Sequence, residues 1–259
     1  MLRALWRGWR VVATGLSFAF FGLGGLLLLI IGLPLMYLLF PRAERRQRMA
    51  RKLVRWLFWL FIHYMWVTGV LRFRFINAER LARPGLVIVA NHPTLLDVVF
   101  LISAVPDATC IVRGGLARNP FTQAPVRLTG YVCNDSGVEL VEASVAAVKS
   151  GSSLVVFPEG TRSNPANPPR WQRGAANIAL QAGVALTPVS ITCDPPTLRK
   201  GEPWWQVPSR RMRYCIEVLD DLPVTDWKPQ REHETNAARD LTERLKDLLT
   251  GRVERNARA

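Results

Sequence analysis

Cysteine and histidine are scarce in this chain of 259 residues, which contains 4 Cys and 3 His. No two cysteines form a C-x-x-C pair, and no histidine lies near one of them at metal-ligand spacing. Structural zinc sites need closely spaced ligands, and disulfide frameworks need paired cysteines in a small secreted chain. We therefore expect reduced, mostly buried thiols, no metal centre and no cofactor. The cysteines concerned are Cys110, Cys133, Cys193 and Cys215.

Acidic residues are also few, with 20 Asp+Glu against 34 Lys+Arg, and the formal net charge is +14. The chain is nevertheless 49% hydrophobic, with a mean hydropathy of +0.10, which excludes a disordered protein. Residues 1–55 hold ten of the basic residues and one Glu, so most of the charge lies near the N-terminus. A basic and hydrophobic chain without an RNA-recognition or helix-turn-helix pattern predicts an anionic membrane surface as partner, and no nucleic acid.

Charge is absent altogether from residues 11–40. About 20 helical residues cross a bilayer core, so this run is long enough to span it with a tilt. It is too long for the apolar core of a signal peptide. Five glycines and one proline leave a re-entrant helical hairpin as the alternative to a spanning helix: Gly15, Gly22, Gly24, Gly25, Gly32 and Pro34.

The segments that flank this run predict a membrane anchor over residues 1–70. A basic segment at 42–55 follows the apolar helix at 11–40. Because the flank of a membrane helix that is richer in Lys and Arg usually lies on the cytoplasmic side, we expect the remainder of the chain on the cytoplasmic face. Six aromatic residues between positions 56 and 66 favour an interfacial helix over 56–69 at the level of the lipid headgroups. The alternative is a buried core helix of the domain that follows.

Residues 71–259 have the pattern of an α/β domain. A first strand is indicated by alternating apolar and basic residues at 71–75. Short apolar runs typical of strands covered on both faces follow at 86–90, 110–113, 131–134, 154–157, 186–191 and 213–219. Helical patterns lie between or after them at 95–103, 138–150, 174–182 and 231–250. This alternation predicts an α/β fold with a mostly parallel central sheet flanked by helices.

The first motif with catalytic potential is Asn91–Asp97, directly after a predicted strand. Histidine is suited to act as a base near neutral pH, and a carboxylate can fix its tautomer. Residues five apart on one ideal helix point about 140° apart, so His92 must lie in the loop before a helix whose first turn carries Asp97. Pro93 at the first helical position favours that geometry. The alternative is an ordinary capped turn.

The second motif, Phe157–Ser163, follows another predicted strand at its carboxyl end, the edge where ligands bind in open α/β sheets. Gly160 permits a close backbone approach, and Thr161 and Ser163 offer hydroxyl groups. Arg162 offers a planar guanidinium suited to phosphate. By itself the motif could be a polar turn with a surface Glu–Arg pair.

At these two motifs the chain resembles the 1-acyl-glycerol-3-phosphate acyltransferase family, from about Val87 to Ile191. Pro120-Phe121, Leu128-Thr129-Gly130 and Pro188-Val189 agree more weakly. The resemblance implies direct transfer of a fatty acyl chain from acyl-CoA or acyl carrier protein to a hydroxyl of a lysophospholipid-like acceptor. It implies a catalytic pair, His92 and Asp97; substrate-binding residues Glu159, Gly160, Thr161, Arg162 and Ser163; and an acceptor segment containing Pro120, Phe121, Gly130 and Asp135.

One departure from the family pattern concerns the acceptor. Ser136 stands where the family has an arginine that is thought to hold the acceptor's phosphate, although Arg113 or Arg127 can compensate. The acceptor can therefore be a specialised lipid or a secondary metabolite instead. A thioesterase and a non-catalytic membrane adaptor remain as further alternatives. The chain contains no G-x-S-x-G nucleophile motif, in agreement with direct transfer.

Overall fold

A seven-stranded sheet forms the centre of the molecule. The computed structural model describes residues 2–134, 137–163, 170–225 and 234–258. The strands are β1 (Leu71–Ile76), β2 (Val87–Ala90), β3 (Ala108–Val112), β4 (Val132–Cys133), β5 (Ser153–Val156), β6 (Leu186–Asp194) and β7 (Met212–Val218). In space they follow the order β1-β7-β6-β2-β5-β3-β4, and each of the seven strand patterns in the sequence corresponds to one of them.

The sheet is mostly parallel, as predicted. Strand β2 lies near its centre and pairs in parallel with both β5 and β6. Strands β6 and β7 pair antiparallel, and β1 pairs in parallel with β7, so these two strands run opposite to β2. The carboxyl ends of β2 and β5 therefore meet the amino ends of β1 and β7 at one edge of the sheet.

Helices cover both faces of the sheet, which explains why its central strands are apolar throughout. The helices are α1 (Leu2–Leu27), α2 (Leu33–Leu39), α3 (Ala43–Val67), α4 (Asp97–Ala104), α5 (Gly114–Arg118), α6 (Gln123–Thr129), α7 (Gly137–Lys149), α8 (Gly174–Ala182) and α9 (Glu234–Arg258), with a 3₁₀ turn at Ala78–Ala82. Ile88 of β2 belongs to a hydrophobic core formed with α3 and α4, whereas its neighbour Val87 belongs to a core formed with α8 and α9.

The N-terminal apolar segment is one continuous helical rod and does not form the hairpin considered above. Helices α1 and α2 are joined by a π-helical turn at Leu28–Gly32. Pro34 lies in the first turn of α2, directly after the π turn, where a missing backbone N–H is tolerated. The segment Leu5–Leu39 is long and apolar enough to cross a membrane by length and composition alone.

Helix α1 lies along the rest of the molecule instead of projecting from it. Near its start, Trp9 Nε1 donates a hydrogen bond of 2.8 Å to the carbonyl oxygen of Thr68, just after α3. Near its end, Gly25 allows the helix backbone to approach the carbonyl oxygen of Phe121 so closely that a Cβ atom would overlap it. The outward side of α1 and of the π turn that follows it is exposed and apolar, and it includes Leu5, Trp6, Val12, Leu16, Phe20, Leu23, Leu27, Ile30 and Ile31.

Helix α3 contains both the predicted basic segment and the predicted aromatic helix. On one side its residues Phe61 and Met65 are buried in the core shared with β1 and α4. On the other side Trp56, Trp59 and Trp66 are 46 to 55% exposed. One side of the aromatic segment is therefore part of a buried core, and the other side has the exposed tryptophans expected of an interfacial helix. Because this core extends across residue 70, the division into an anchor and an α/β domain stays a prediction.

The β6–β7 loop, residues 195–211, connects the sheet edge with helix α1. Its residue Leu198 accepts a hydrogen bond from the backbone N–H of Leu95 in front of α4, at 3.2 Å. Further along, Trp204 packs against Phe18 of α1, with ring centroids 6.1 Å apart. The carbonyl oxygen of Ser209 then accepts a hydrogen bond from Arg10 of α1.

Candidate active site

The histidine of the first motif lies at the carboxyl end of β2, held there by the residue before it. The side-chain amide of Asn91 donates to the carbonyl oxygen of Ile191 on β6, and the amide oxygen accepts from the backbone N–H of Ile191, both at 2.8 Å. This side chain therefore continues the β2–β6 pairing by one step after the strand has ended. The following residue, His92, is placed directly above the sheet edge.

His92 and Asp97 are in contact. The distance between His92 Nδ1 and Asp97 Oδ2 is 2.8 Å, and Asp97 is fully buried while the His92 side chain remains 19% exposed. The carboxylate also accepts two bonds of 2.6 Å from Thr94, one from its backbone N–H and one from its hydroxyl. An ionised carboxylate only accepts hydrogen bonds, so this contact favours the tautomer of neutral His92 that has its proton on Nδ1 and its lone pair on Nε2.

Helix α4 begins at Asp97, so Pro93 does not occupy its first helical position as the sequence suggested. Residues 91–93 form an irregular loop, and residues 94–96 form a turn in front of the helix. The reason is the carboxylate of Asp97, which accepts the backbone N–H of Thr94 and thereby closes this turn before the first helical residue. The arrangement directs the Asp97 side chain back toward His92.

A tyrosine that was not predicted from the sequence is linked to the His92–Asp97 pair through Thr94. Tyr214 on β7 is fully buried, and its hydroxyl donates to Thr94 Oγ1 at 3.1 Å. Burial raises the pKa of Tyr214 well above its usual range, so it remains a neutral donor. Burial also raises the pKa of Asp97, and its hydrogen bonds with His92 and Thr94 oppose that shift. No local signal in the sequence connects residues 120 positions apart.

The second motif meets the first because β5 is the neighbour of β2 in the sheet. Glu159 accepts the backbone N–H of His92 at 2.9 Å with Oε1 and the hydroxyl of Ser163 at 2.6 Å with Oε2. The backbone N–H of Ser163 in turn donates to the carbonyl oxygen of His92 at 2.7 Å. Phe157 stacks on the His92 ring at a centroid distance of 4.3 Å. Burial raises the pKa of Glu159, and the bonds from Ser163 and His92 oppose it.

Two guanidinium groups lie at the same motif. Arg162 Nη1 donates to the carbonyl oxygens of Leu198 and Arg199, both at 2.9 Å, and burial lowers the pKa of Arg162. Arg113 donates to the carbonyl oxygen of Gly160, whose φ of +61° is the left-handed conformation that glycine adopts without strain. Of the two arginines considered as substitutes for the missing family residue, Arg113 is thus beside Arg162.

The remaining predicted site residues are elsewhere or undescribed. Thr161 is partly exposed within the second motif. Phe121 lines a small apolar cavity of about 60 Å³ between α1, α3 and α6, with the exposed Pro120 next to it. Gly130 ends α6 and faces the side chain of Gln47 on α3. The predicted acceptor residue Asp135 and the neighbouring Ser136 lie outside the described residues. Within the described ranges, no group of three His, Cys, Asp or Glu side chains is arranged to hold a metal ion.

Comparison with known proteins agrees with the motifs. Residues 72–192 match the family model described as Acyltransferase. A chloroplastic 1-acyl-sn-glycerol-3-phosphate acyltransferase of Arabidopsis thaliana is 27% identical over 191 residues, covering 70% of this chain and 49% of that protein. The 1-acyl-sn-glycerol-3-phosphate acyltransferase of Cocos nucifera is 23% identical over 170 residues, covering 60% of this chain and 52% of that protein. The chain thus spans about half the length of these curated relatives.

The fold is shared with a solved structure over nearly the whole chain. The crystal structure of the 1-acyl-sn-glycerophosphate (LPA) acyltransferase from Thermotoga maritima superposes with a TM-score of 0.69, covers 98% of both chains and is 17% identical. The N-terminal helices are therefore part of the common fold. The family-model match and the curated relatives show that residues 72–192 form an acyltransferase domain, and that the chain is similar to 1-acyl-sn-glycerol-3-phosphate acyltransferases.

Proposed function

We propose that this protein is a membrane-bound acyltransferase that moves a fatty acyl chain from a thioester to a hydroxyl of a 1-acylglycerol-3-phosphate-like lipid. The observation that carries the proposal is the contact between the partly exposed His92 and the fully buried Asp97 at a sheet edge. The carboxylate fixes the tautomer that leaves Nε2 free to accept a proton. A base so placed suits an alcohol acceptor, because His92 can remove its proton as the oxygen attacks.

The proposed reaction needs no acyl-enzyme. Nε2 of His92 takes the proton of the acceptor hydroxyl while the hydroxyl oxygen forms a bond to the thioester carbonyl carbon. Collapse of the tetrahedral intermediate breaks the carbon–sulfur bond, and the proton on Nε2 passes to the leaving thiolate. Asp97 stabilises the positive charge that His92 carries between the two proton transfers.

The phosphate of the acceptor is proposed to bind at Arg162 and Arg113. The two carbonyl oxygens of the β6–β7 loop fix the plane of the Arg162 guanidinium, which suits bidentate binding of a phosphate. Arg113 lies at the neighbouring Gly160 and supplies a second positive charge, as the missing family arginine would. This pair favours a lysophosphatidic acid-like acceptor over one without a phosphate. The donor is proposed to be acyl-CoA or acyl carrier protein.

Membrane attachment is proposed to occur through the exposed apolar side of α1 and the exposed tryptophans of α3. Helix α1 packs along the domain near both of its ends, at Trp9 and Gly25. We therefore infer that it lies in one leaflet of the bilayer and does not span it. The excess of basic residues around it favours the cytoplasmic face. Flotation of the full chain with vesicles, followed by protease treatment from one side, tests both statements. Cleavage sites accessible from both sides would contradict a single-face arrangement.

Mass spectrometry of the lipid formed from an isotope-labelled acyl thioester tests the activity directly. Lysophosphatidic acid is expected to yield labelled phosphatidic acid, and His92→Ala is expected to abolish this product while the protein still floats with vesicles. Near-normal turnover by His92→Ala would refute the proposed base. Thioester consumption that does not depend on an acceptor lipid would instead identify a thioesterase.

A panel of acceptors tests the assignment of the phosphate site. Arg113→Gln and Arg162→Gln are each expected to raise the KM for lysophosphatidic acid, since one bond to a charged group contributes about 1.5–3 kcal/mol. Arg127→Gln is the matched control, because Arg127 is exposed on α6. A preference of the unaltered protein for acceptors without phosphate would contradict the assignment and favour a specialised lipid or secondary metabolite.

A further inference from the structure

A second basic site lies at the same edge of the sheet as the catalytic pair, at the amino ends of β1 and β7, and shares no residue with it. Five residues line a surface cleft of about 260 Å³, which we call the arginine cleft: Arg72, Asp194, Arg210, Arg211 and Arg213. They come from three separate segments, namely β1, the end of β6 and a stretch that runs from the end of the β6–β7 loop into the start of β7. Together they carry a formal excess of three positive charges.

The charges of the arginine cleft are only partly neutralised. Asp194 pairs with Arg213 at 2.5 Å and with Arg210 at 3.5 Å, and all three side chains are more than half exposed. The hydrogen bond from Arg213 lowers the pKa of Asp194, so the carboxylate is ionised. One carboxylate thus serves two guanidinium groups, which leaves donors available to an anion.

The arginine cleft adjoins the surface that is proposed above to face the membrane. Arg211 Nε donates to the carbonyl oxygen of Leu71 at 2.8 Å, and its Nη2 donates to that of Trp66 at the end of α3. Trp66 is 48% exposed and Val67 is 73% exposed. Arg10 of α1 contacts the carbonyl oxygen of Ser209, next to Arg210 in the chain.

We propose that the arginine cleft binds the phosphate of an anionic phospholipid in the bilayer on which the protein sits. This inference rests on the membrane attachment proposed above. An exposed tryptophan at the rim favours the depth of the lipid headgroups, and guanidinium groups are suited to phosphate at that depth. The cleft is thereby a second attachment point that depends on lipid charge, in addition to the apolar side of α1.

Vesicle flotation of the full-length protein tests the proposal. Protein diluted from neutral detergent is mixed with vesicles of phosphatidylcholine alone or of phosphatidylcholine with phosphatidylglycerol. Arg210→Glu/Arg213→Glu is expected to lose about tenfold or more of the partitioning gained from phosphatidylglycerol at low salt, because basic side chains near an anionic surface add to membrane affinity. Asp194→Asn is expected to increase that gain, because it removes the negative charge of the cleft.

Arg239→Glu/Arg244→Glu is the matched control, since it makes the same change in net charge on the exposed side of α9. An equal loss by this control would overturn the proposal in favour of a general charge effect. Inorganic phosphate that binds the unaltered protein but not Arg210→Glu/Arg213→Glu, together with no gain in partitioning from phosphatidylglycerol, would show that the cleft takes a free anion, and would also overturn the proposal.

Enzyme assays in neutral detergent separate this inference from the proposed function. The Arg210→Glu/Arg213→Glu protein is expected to keep the kcat and the acyl-CoA KM of the unaltered chain there. A raised acyl-CoA KM would assign the cleft to the donor and refute a lipid site. His92→Ala is expected to float like the unaltered chain, so a failure of the proposed base leaves the result for the cleft interpretable.

Discussion

The hydroxyl of Thr94 offers the sharpest test of the catalytic arrangement. It donates a 2.6 Å hydrogen bond to Asp97 Oδ1 and accepts one from Tyr214, all within the buried interior. Thr94→Val retains the shape of the side chain and removes both bonds, together with a third that the hydroxyl accepts from the backbone N–H of Leu96 at 3.2 Å. A hydrogen bond to a charged group contributes about 1.5–3 kcal/mol, which corresponds to a fall in kcat of roughly 10- to 100-fold if the bond serves the catalytic pair.

The kcat–pH profile of Thr94→Val is expected to change in a direction set by the pKa of Asp97. Burial raises the pKa of Asp97, and the bond from Thr94 is among those that oppose the rise. Without that bond the pKa rises further, so Asp97 is protonated over a wider acidic range and His92 loses its anionic partner there. The acidic limb of the kcat–pH profile is therefore expected to move to higher pH, and part of the activity is expected to return as the pH is raised.

Two variants control for the loss of a buried hydroxyl as such. Thr94→Ser keeps the hydroxyl and is expected to keep both kcat and the acidic limb. Thr109→Val removes the hydroxyl of a fully buried threonine whose Oγ1 has no hydrogen-bond partner among the described residues, and it is expected to be nearly neutral. A Thr94→Val enzyme with the unaltered kcat–pH profile would refute the reasoning, whatever its thermal stability.

Three further substitutions probe other contacts. Tyr214→Phe is expected to lower kcat severalfold and to move the acidic limb in the same direction, because it removes a bond of about 1 kcal/mol between neutral groups; an unchanged profile would contradict this. Glu159→Gln places an amide group against one of two donors and is expected to lower turnover by about tenfold or more together with Tm, whereas full activity would show that the two motifs need no such link. Gly25→Ala is expected to lower Tm in detergent because its Cβ would overlap the Phe121 carbonyl oxygen, while Gly24→Ala, which has open space around it, should not; equal Tm values would contradict the close packing of α1.

The strands could be predicted because the sheet is covered on both faces, so each central strand is a short apolar run between helical patterns. The order of the strands could not be predicted, since it depends on which face of the sheet each connecting helix crosses. One clue to the direction of β7 was present. Residues 195–211 carry no helical pattern, and a connection without a crossover helix suits an antiparallel pair such as β6 and β7.

The two motifs could be located because each is a local run of residues at a strand end. Their mutual geometry depends on β2 and β5 being neighbours, and on Glu159, whose carboxylate joins the two loops. Tyr214 escaped prediction because a buried tyrosine in an apolar strand has the same pattern as a packing residue. The glycines before Pro34 suggested a break in the N-terminal helix, whereas the π turn carries the chain through it and Gly25 serves helix packing.

The β6–β7 loop makes catalytic competence depend on the N-terminal helix. Leu198 contacts both the turn in front of α4 and Arg162, while Trp204 and Ser209 of the same loop are held by α1. A chain shortened to remove α1 for the sake of solubility would leave this loop supported at one end alone. Such a protein could retain the sheet and the His92–Asp97 contact and yet position Arg162 poorly. Efforts to obtain a soluble form should therefore replace the exposed apolar residues of α1 with polar ones and leave the helix in place.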